Sequence, residues 1–295
     1  MTIHDAEFPL QAVSALIEIA LDEDLGAGQA RDVTTLATVP GEQASTAHVV
    51  ARAPGVIAGG AIIRLVLDSV STRLGAAPVQ VQVGVDDGSG VARGDVIAIL
   101  SGSTRAILIA ERTMLNLLSR MSGVATHTRL WAEALSGTGA VVLDTRKTTP
   151  GLRALEKYAV RLGGGRNKRM GLFDVAMIKD NHKRAAGSIT AAFNAVRAAF
   201  PDVDIEVEVT TQEEAIEAVR AGARFLLLDN FTLEDLAPVV RAVRATSRQV
   251  ELEATGGLTL EVARDVAMTG VDFLSVGGLT HSSPVLDIAL DIVGP

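Results

Sequence analysis

No cysteine occurs among the 295 residues. Disulfides and thiolate metal sites are therefore excluded, an absence that fits a reducing cytoplasm. The opening residues MTIHDAEFPL carry no basic start followed by an apolar run, so no secretion signal is expected there. No apolar stretch approaches the roughly 18 residues that a membrane span needs, and a cytoplasmic location is the expectation. Positive charge is scarce as well: 27 Lys and Arg stand against 35 Asp and Glu, a net charge of −8. A general surface for nucleic acid or anionic membranes is thus excluded, and any anionic ligand must be met locally. What the chain does have is apolar residues, 48% of the total, enough for one large core or two.

The few cations are unevenly placed. Between Asp144 and Arg184, eleven basic residues face four acids, which gives +7 over 41 residues and leaves −15 elsewhere. Arg153, Lys157 and Arg161 are spaced four apart and read as a solvated helix face. The others do not fit a helix, because they gather around GGGRNKRMG, where glycines break regular structure. The densest group is VVLDTRKTTPGL (141–152), in which an acid, two adjacent cations and three threonines follow an apolar run.

Two textures divide the chain. Residues 9–21 read as an amphipathic helix, and 46–109 as short strands with one helix near 60–74, punctuated by DDGSG and ARGD. From about residue 112, helices alternate with the short apolar runs AVVLD, VAMIK, IEVEV, FLLLD, VELEA and FLSVG. Near-continuous hydrophobicity fits strands buried on both faces, and the alternation predicts parallel βα units. Each run ends on a polar or small residue: Asp144, Lys179, Glu208, Asp229, Thr255, and Ser275 followed by Gly277 and Gly278. In (β/α) barrels the carboxyl ends of the strands build the active site, so these termini are expected to converge. The glycine pairs of ATGGL and SVGGL fall in the last two units, where barrels commonly hold phosphate on backbone N–H groups.

The stretch LDTRKTTPGLRALEKYAVRLGGGRNKRMGLFDVAMIKDNH resembles the central signature of the quinolinate phosphoribosyltransferase family. RDVTTLAT, AERTMLNLLSRMSGVAT, IEVEV, LLLDNF, LEATGGL and SVGGLTHSSPVLDIALDI also resemble family motifs, in the family's order. The resemblance implies an α/β fold in two parts: an N-terminal α/β sandwich (1–115) and an incomplete, seven-stranded α/β barrel (116–281). Segment 282–295 is expected to pack back on the first part, and the assembly to be a homodimer. The implied activity is Mg²⁺-dependent transfer of phosphoribosyl from phosphoribosyl pyrophosphate to quinolinate, with decarboxylation to nicotinate mononucleotide.

By the same resemblance, Arg146, Arg169 and Lys179 would grip the quinolinate carboxylates, arginine supplying a planar two-donor fork. Thr145 would line the same side, and Lys147 the phosphoribosyl side. Glu208 and Asp229 would organise magnesium and the ribose hydroxyls. Thr255, Gly256, Gly257, Gly277, Gly278 and His281 would receive the 5′-phosphate, and Arg112 would reach into the partner subunit's active site. Lys147, Lys179, Glu208 and Asp229 are the expected catalytic set. One position departs from the pattern: after the triple glycine the family usually reads asparagine-histidine-arginine, whereas here Asn167, Lys168 and Arg169 follow Arg166. Lys168 is expected either near a substrate anion or in solvent. Two alternatives stay open at this point: a same-fold relative acting on another pyridine carboxylate, and a barrel lyase or aldolase using Lys147 or Lys179 as a Schiff base.

Overall fold

A computed structural model describes residues 7–294. The chain begins with α1 (Leu10–Leu25), whose buried Val13, Ile17, Leu21 and Leu25 recur every four residues and form one apolar stripe. Helix α2 (Val33–Thr38) starts at Asp32, whose carboxylate accepts from the N–H groups of Thr34 and Thr35. Then follow β1 (Ala44–Ala51), β2 (Gly55–Val56), α3 (Ala61–Leu74), β3 (Gln80–Val83), β4 (Gly90–Val91) and β5 (Val96–Ser103). The long helix α4 (Thr104–Ala134) comes next.

The remaining chain alternates as expected. It runs through β6 (Val141–Leu143), α5 (Arg153–Leu162), β7 (Val175–Ile178), α6 (Asp180–Ala186) and α7 (Ile189–Ala199). It continues with β8 (Asp204–Val209), α8 (Gln212–Ala221), β9 (Phe225–Asp229), α9 (Leu233–Thr246), β10 (Glu251–Thr255) and α10 (Leu260–Ala267). Strand β11 (Phe273–Ser275), the short α11 (Gly278–His281) and β12 (Ile288–Gly294) complete it.

Two compact units emerge. The first comprises the chain up to Arg129, Thr149–Gly164, and the stretch from Ser282 onward. Its sheet has the order β12-β1-β5-β3 and is antiparallel; β12 pairs with β1, for example Val49 with Leu290 and Ala51 with Ile288. The boundary expected after residue 115 falls inside α4, which continues unbroken because its turn-to-turn hydrogen bonding and its buried Leu115 and Leu118 carry through. Helix α5 belongs to this first unit, and its expected solvated face is not one: Lys157 is only 2% exposed. Leu155, Glu156, Tyr158, Ala159 and Val160 are buried with it, so the helix is enclosed on more than its apolar side.

The second unit, Leu130–Thr148 with Gly165–His281, holds a parallel sheet in the order β6-β11-β10-β9-β8-β7. The six apolar runs supply its six strands. Seven strands were expected; beyond β6, pairing is reduced to one isolated parallel bridge between Leu143 and Arg166. The physical reason is local, since the glycines before Arg166 and the cations after it cannot extend an apolar, doubly covered strand.

Candidate active site

The carboxyl ends of the second unit's strands bring most of the expected residues together. At the end of β6, Asp144 is fully buried and accepts from the Lys168 N–H (2.8 Å) and from Asn167 Nδ2 (2.6 Å). Beyond it the turn tightens: Thr145 Oγ1 accepts from the Lys147 N–H at 3.0 Å, and the Arg146 carbonyl from the Thr148 N–H at 2.9 Å. Arg146 is half-buried and Lys147 exposed. The adjacent cations are thus split between the interior of the site and its mouth.

Arg169 is buried, and its Nη1 donates to the Val175 carbonyl at 3.1 Å. Burial lowers its pKa from the usual arginine value, and the nearby Arg146 charge adds to the effect. Two guanidinium groups thus repel one another in a partly desolvated place.

Lys179 ends β7. Its Nζ donates to Glu208 Oε2 at 2.5 Å, and its own N–H is capped by His182 Nδ1 at 2.9 Å. Asp229, at the end of β9, has a carboxyl pushed up by burial first and by the Glu208 charge second, against a lowering contribution from Asn230. The magnesium ion that the family resemblance implies would meet these two acids. Among the described residues no group of three or more His, Cys, Asp or Glu could hold a metal. A pair of crowded carboxylates fits Mg²⁺ all the same, because that ion commonly takes one or two carboxylates and completes its shell with water and substrate phosphates.

The last two strand ends make the backbone part of the site. The Asn230 N–H donates to the Thr255 carbonyl at 3.0 Å, and Asn230 takes a φ of +56°. The turn of β10 lies so close that a Cβ on Gly256, itself at φ +97°, would fall onto the Asn230 amide oxygen; only glycine fits there. At the end of β11, a Cβ on Gly277 would lie 3.1 Å from both His281 Nε2 and Lys147 Cδ. Thr280 Oγ1 donates to the Lys147 carbonyl at 2.8 Å, which binds the cationic turn of β6 to the glycine turn of β11.

Two expectations take a different form. Arg112 lies in the first unit, on α4, with a side chain 66% exposed and Glu111 3.9 Å away. Lys168 is not the solvent-exposed charge that was one of the two expectations for it. Its side chain is 5% exposed, and Nζ lies 2.7 Å from Glu253 Oε1 and 3.3 Å from Glu206 Oε2, with the Phe225 ring centroid 5.8 Å away. The reason is electrostatic: Glu206 and Glu253 are buried acids inside β8 and β10, and a buried carboxylate draws in a cation. These two glutamates, inside the strands rather than at their ends, are the residues that the reading of strand ends passed over. Their signal was present as acids alternating inside apolar runs, in IEVEV and VELEA.

Comparison with known proteins matches this arrangement to one family. The family profile "Quinolinate phosphoribosyl transferase, C-terminal domain" covers residues 124–291, and the corresponding N-terminal domain profile covers 32–122. The chain belongs to the quinolinate phosphoribosyltransferase family. It is 47% identical over 290 residues to a nicotinate-nucleotide pyrophosphorylase [carboxylating] of Mycobacterium leprae, covering 98% of this chain and 100% of that one. It is 44% identical over 271 residues to a probable nicotinate-nucleotide pyrophosphorylase [carboxylating] of Bacillus subtilis, covering 92% and 90%. The solved nicotinate-nucleotide pyrophosphorylase of Francisella tularensis superposes with a TM-score of 0.91 at 34% identity, over 99% of this chain and 100% of that one. The site geometry above is therefore that of a family member. No helix among the described residues is long and apolar enough to cross a membrane.

Proposed function

We propose that the chain transfers the phosphoribosyl group of phosphoribosyl pyrophosphate to quinolinate and decarboxylates the product to nicotinate mononucleotide, a step of NAD biosynthesis. The observation that carries this reading is the strand-end cluster of Arg146, Lys147, Arg169 and Lys179 in a chain with an excess of acids. Quinolinate brings two carboxylates and the donor several phosphate charges, and such a cluster meets both. Arg146 and Arg169 receive the carboxylates, and Lys179, steadied by Glu208, holds the same side. Thr145 shapes the turn that carries them. Lys147 faces the donor, and Thr255, Gly256, Gly257, Gly277, Gly278 and His281 hold its 5′-phosphate.

In the first step the pyridine nitrogen forms a bond to ribose C1 as the C1–oxygen bond breaks and its electron pair leaves with pyrophosphate. Holding the partners in line and stabilising the leaving charge is most of the protein's task. Glu208 and Asp229 would hold magnesium, whose charge would help neutralise the donor's phosphates. In the second step the bond to the 2-carboxylate breaks, CO₂ departs, and the electron pair remains beside the cationic nitrogen until a proton takes it. No covalent enzyme nucleophile enters, and a Schiff-base lysine finds no support in the ion pair that occupies Lys179.

The decisive assay supplies phosphoribosyl pyrophosphate and Mg²⁺ with quinolinate, nicotinate or nicotinamide and measures mononucleotide. Product from quinolinate alone is expected; nicotinate turnover at comparable efficiency would overturn the reading. Arg146→Ala is expected to weaken quinolinate binding by about 1.5–3 kcal/mol while folding stays intact, as for loss of a hydrogen bond to a charged group. Unchanged affinity in titration calorimetry would remove Arg146 from the acceptor site.

The working form is a cytoplasmic homodimer in which Arg112 serves the neighbouring active site. Its exposed position on α4 and its loose pairing with Glu111 leave the guanidinium available for that. Mixing inactive Arg112→Ala with inactive Lys179→Ala is then expected to restore activity, because exchange creates one site with both lesions and one with neither. Proven heterodimers without activity would assign Arg112 to its own subunit.

A further inference from the structure

We propose that Lys168 is a positioning residue for the acceptor: its ion pairs with Glu206 and Glu253 fix the 166–169 loop so that Arg169 meets a substrate carboxylate. The proposal rests on the assignment of Arg169 to the acceptor. It starts from the ways in which this loop is tied. On one side it is anchored to β6, through Arg166 N–H to the Val142 carbonyl (2.9 Å), Asp144 N–H to the Arg166 carbonyl (3.2 Å), and the Lys168 N–H and Asn167 amide to the Asp144 carboxylate. Just beyond Arg169, Asp174 accepts from the N–H groups of Met170 and Gly171 and closes a tight turn.

Between these anchors, the Lys168 ammonium is what reaches into the sheet. Glu206 lies inside β8 and Glu253 inside β10, with β9 between them in the sheet order. One side chain therefore pins the loop to two strands separated by a third. The side chains of all three residues are at least nine-tenths buried, at 5%, 4% and 0% exposure. One ammonium serves two carboxylates, and Glu206 Oε2 and Glu253 Oε2 have no hydrogen-bond partner among the described residues. Such a cluster is a costly way to fill a core, since apolar groups of equal volume do so as well or better. It does achieve a fixed geometry, because charge-assisted bonds are directional where apolar contacts are not. The residue it fixes most directly is the next in the chain, Arg169. Glu206 also acts on that guanidinium through its charge, opposing the repulsion from Arg146. The lysine thus places the arginine without touching the substrate.

The test measures steady-state KM for quinolinate and for phosphoribosyl pyrophosphate, with the urea midpoint of each variant. Lys168→Met is expected to raise the quinolinate KM by about tenfold or more and to leave the donor KM within about twofold. Glu253→Gln is expected to shift the quinolinate KM in the same direction. The triple variant K168M/E206Q/E253Q removes every charge together, so its midpoint returns to the parent's while the raised quinolinate KM persists; it carries the test if Lys168→Met alone does not fold. A parental quinolinate KM in the triple variant would reduce the cluster to charge balance and overturn the proposal. So would a Glu253→Gln enzyme with unchanged or lower quinolinate KM, which would mean that the lysine reads the substrate itself. Arg169→Ala separates the two levels of the argument. A raised quinolinate KM there with unaffected Lys168 variants defeats the positioning role alone, whereas an unaffected KM in Arg169→Ala defeats the acceptor assignment and the proposal with it.

Discussion

Glu156→Ala is expected to lower the unfolding free energy by about 3–5 kcal/mol, the range for removing one partner of a buried ion pair. The carboxylate is 1% exposed and serves two donors at once: Oε1 accepts from Arg120 Nη2 at 2.6 Å, and Oε2 from the Thr149 N–H at 3.0 Å. Arg120 in turn donates to the Ser283 carbonyl at 2.9 Å, so the pair links α4 and α5 to the returning C-terminal segment. Alanine removes both acceptors and opens a cavity where water has no easy entry. Urea titration would register a lower midpoint at an unchanged slope. Glu156→Gln, which keeps one acceptor, should lose less. A fall below about 1 kcal/mol for the alanine variant would mean that the pair does no more than a surface salt bridge.

The second large effect concerns pH. Burial raises the Glu206 carboxyl to about 7, with the Glu253 charge raising it further and Lys168 opposing. A carboxyl with a pKa higher in the folded than in the unfolded chain binds its proton more tightly when folded. Its stabilising contribution is therefore complete below the ordinary value near 4.5 and is lost as pH rises through 7. The shift corresponds to about 3 kcal/mol lost between roughly pH 5 and pH 8. His127 acts in the opposite sense, because burial lowers its pKa and the neutral imidazole is favoured as pH rises. The difference between parent and Glu206→Gln isolates the carboxyl. Unfolding free energies measured at half-unit steps should run close together toward pH 5, where the protonated carboxyl resembles the amide, and diverge toward pH 8, with the parent losing stability relative to the variant; parallel profiles would assign Glu206 an ordinary pKa.

The family resemblance was carried by linear motifs, and those survive folding because they record local requirements. The six apolar runs became the six parallel strands, and their polar ends lie on one sheet's carboxyl edge. Asp229, Thr255 and the glycines at 256 and 277 could be read in advance because a strand end, a tight turn and a close backbone approach each demand particular residues within a few positions.

Other features depended on partners far away in the chain. Lys168 reads as one more cation in a basic loop until Glu253, 85 residues on, comes within 2.7 Å. Lys157 reads as part of a solvated stripe, since spacing reports a helix face and not what covers it. Strand β12 takes its place beside β1 by backbone pairing, which any apolar strand could offer and only the return of the chain supplies. The sequence by itself determined the strands, the site's chemistry and the family, through periodicity and short motifs. The tertiary structure alone decided which cations would pair with buried acids, as Lys168 does with Glu206 and Glu253, because desolvation and charge pairing depend on distance in space rather than along the chain.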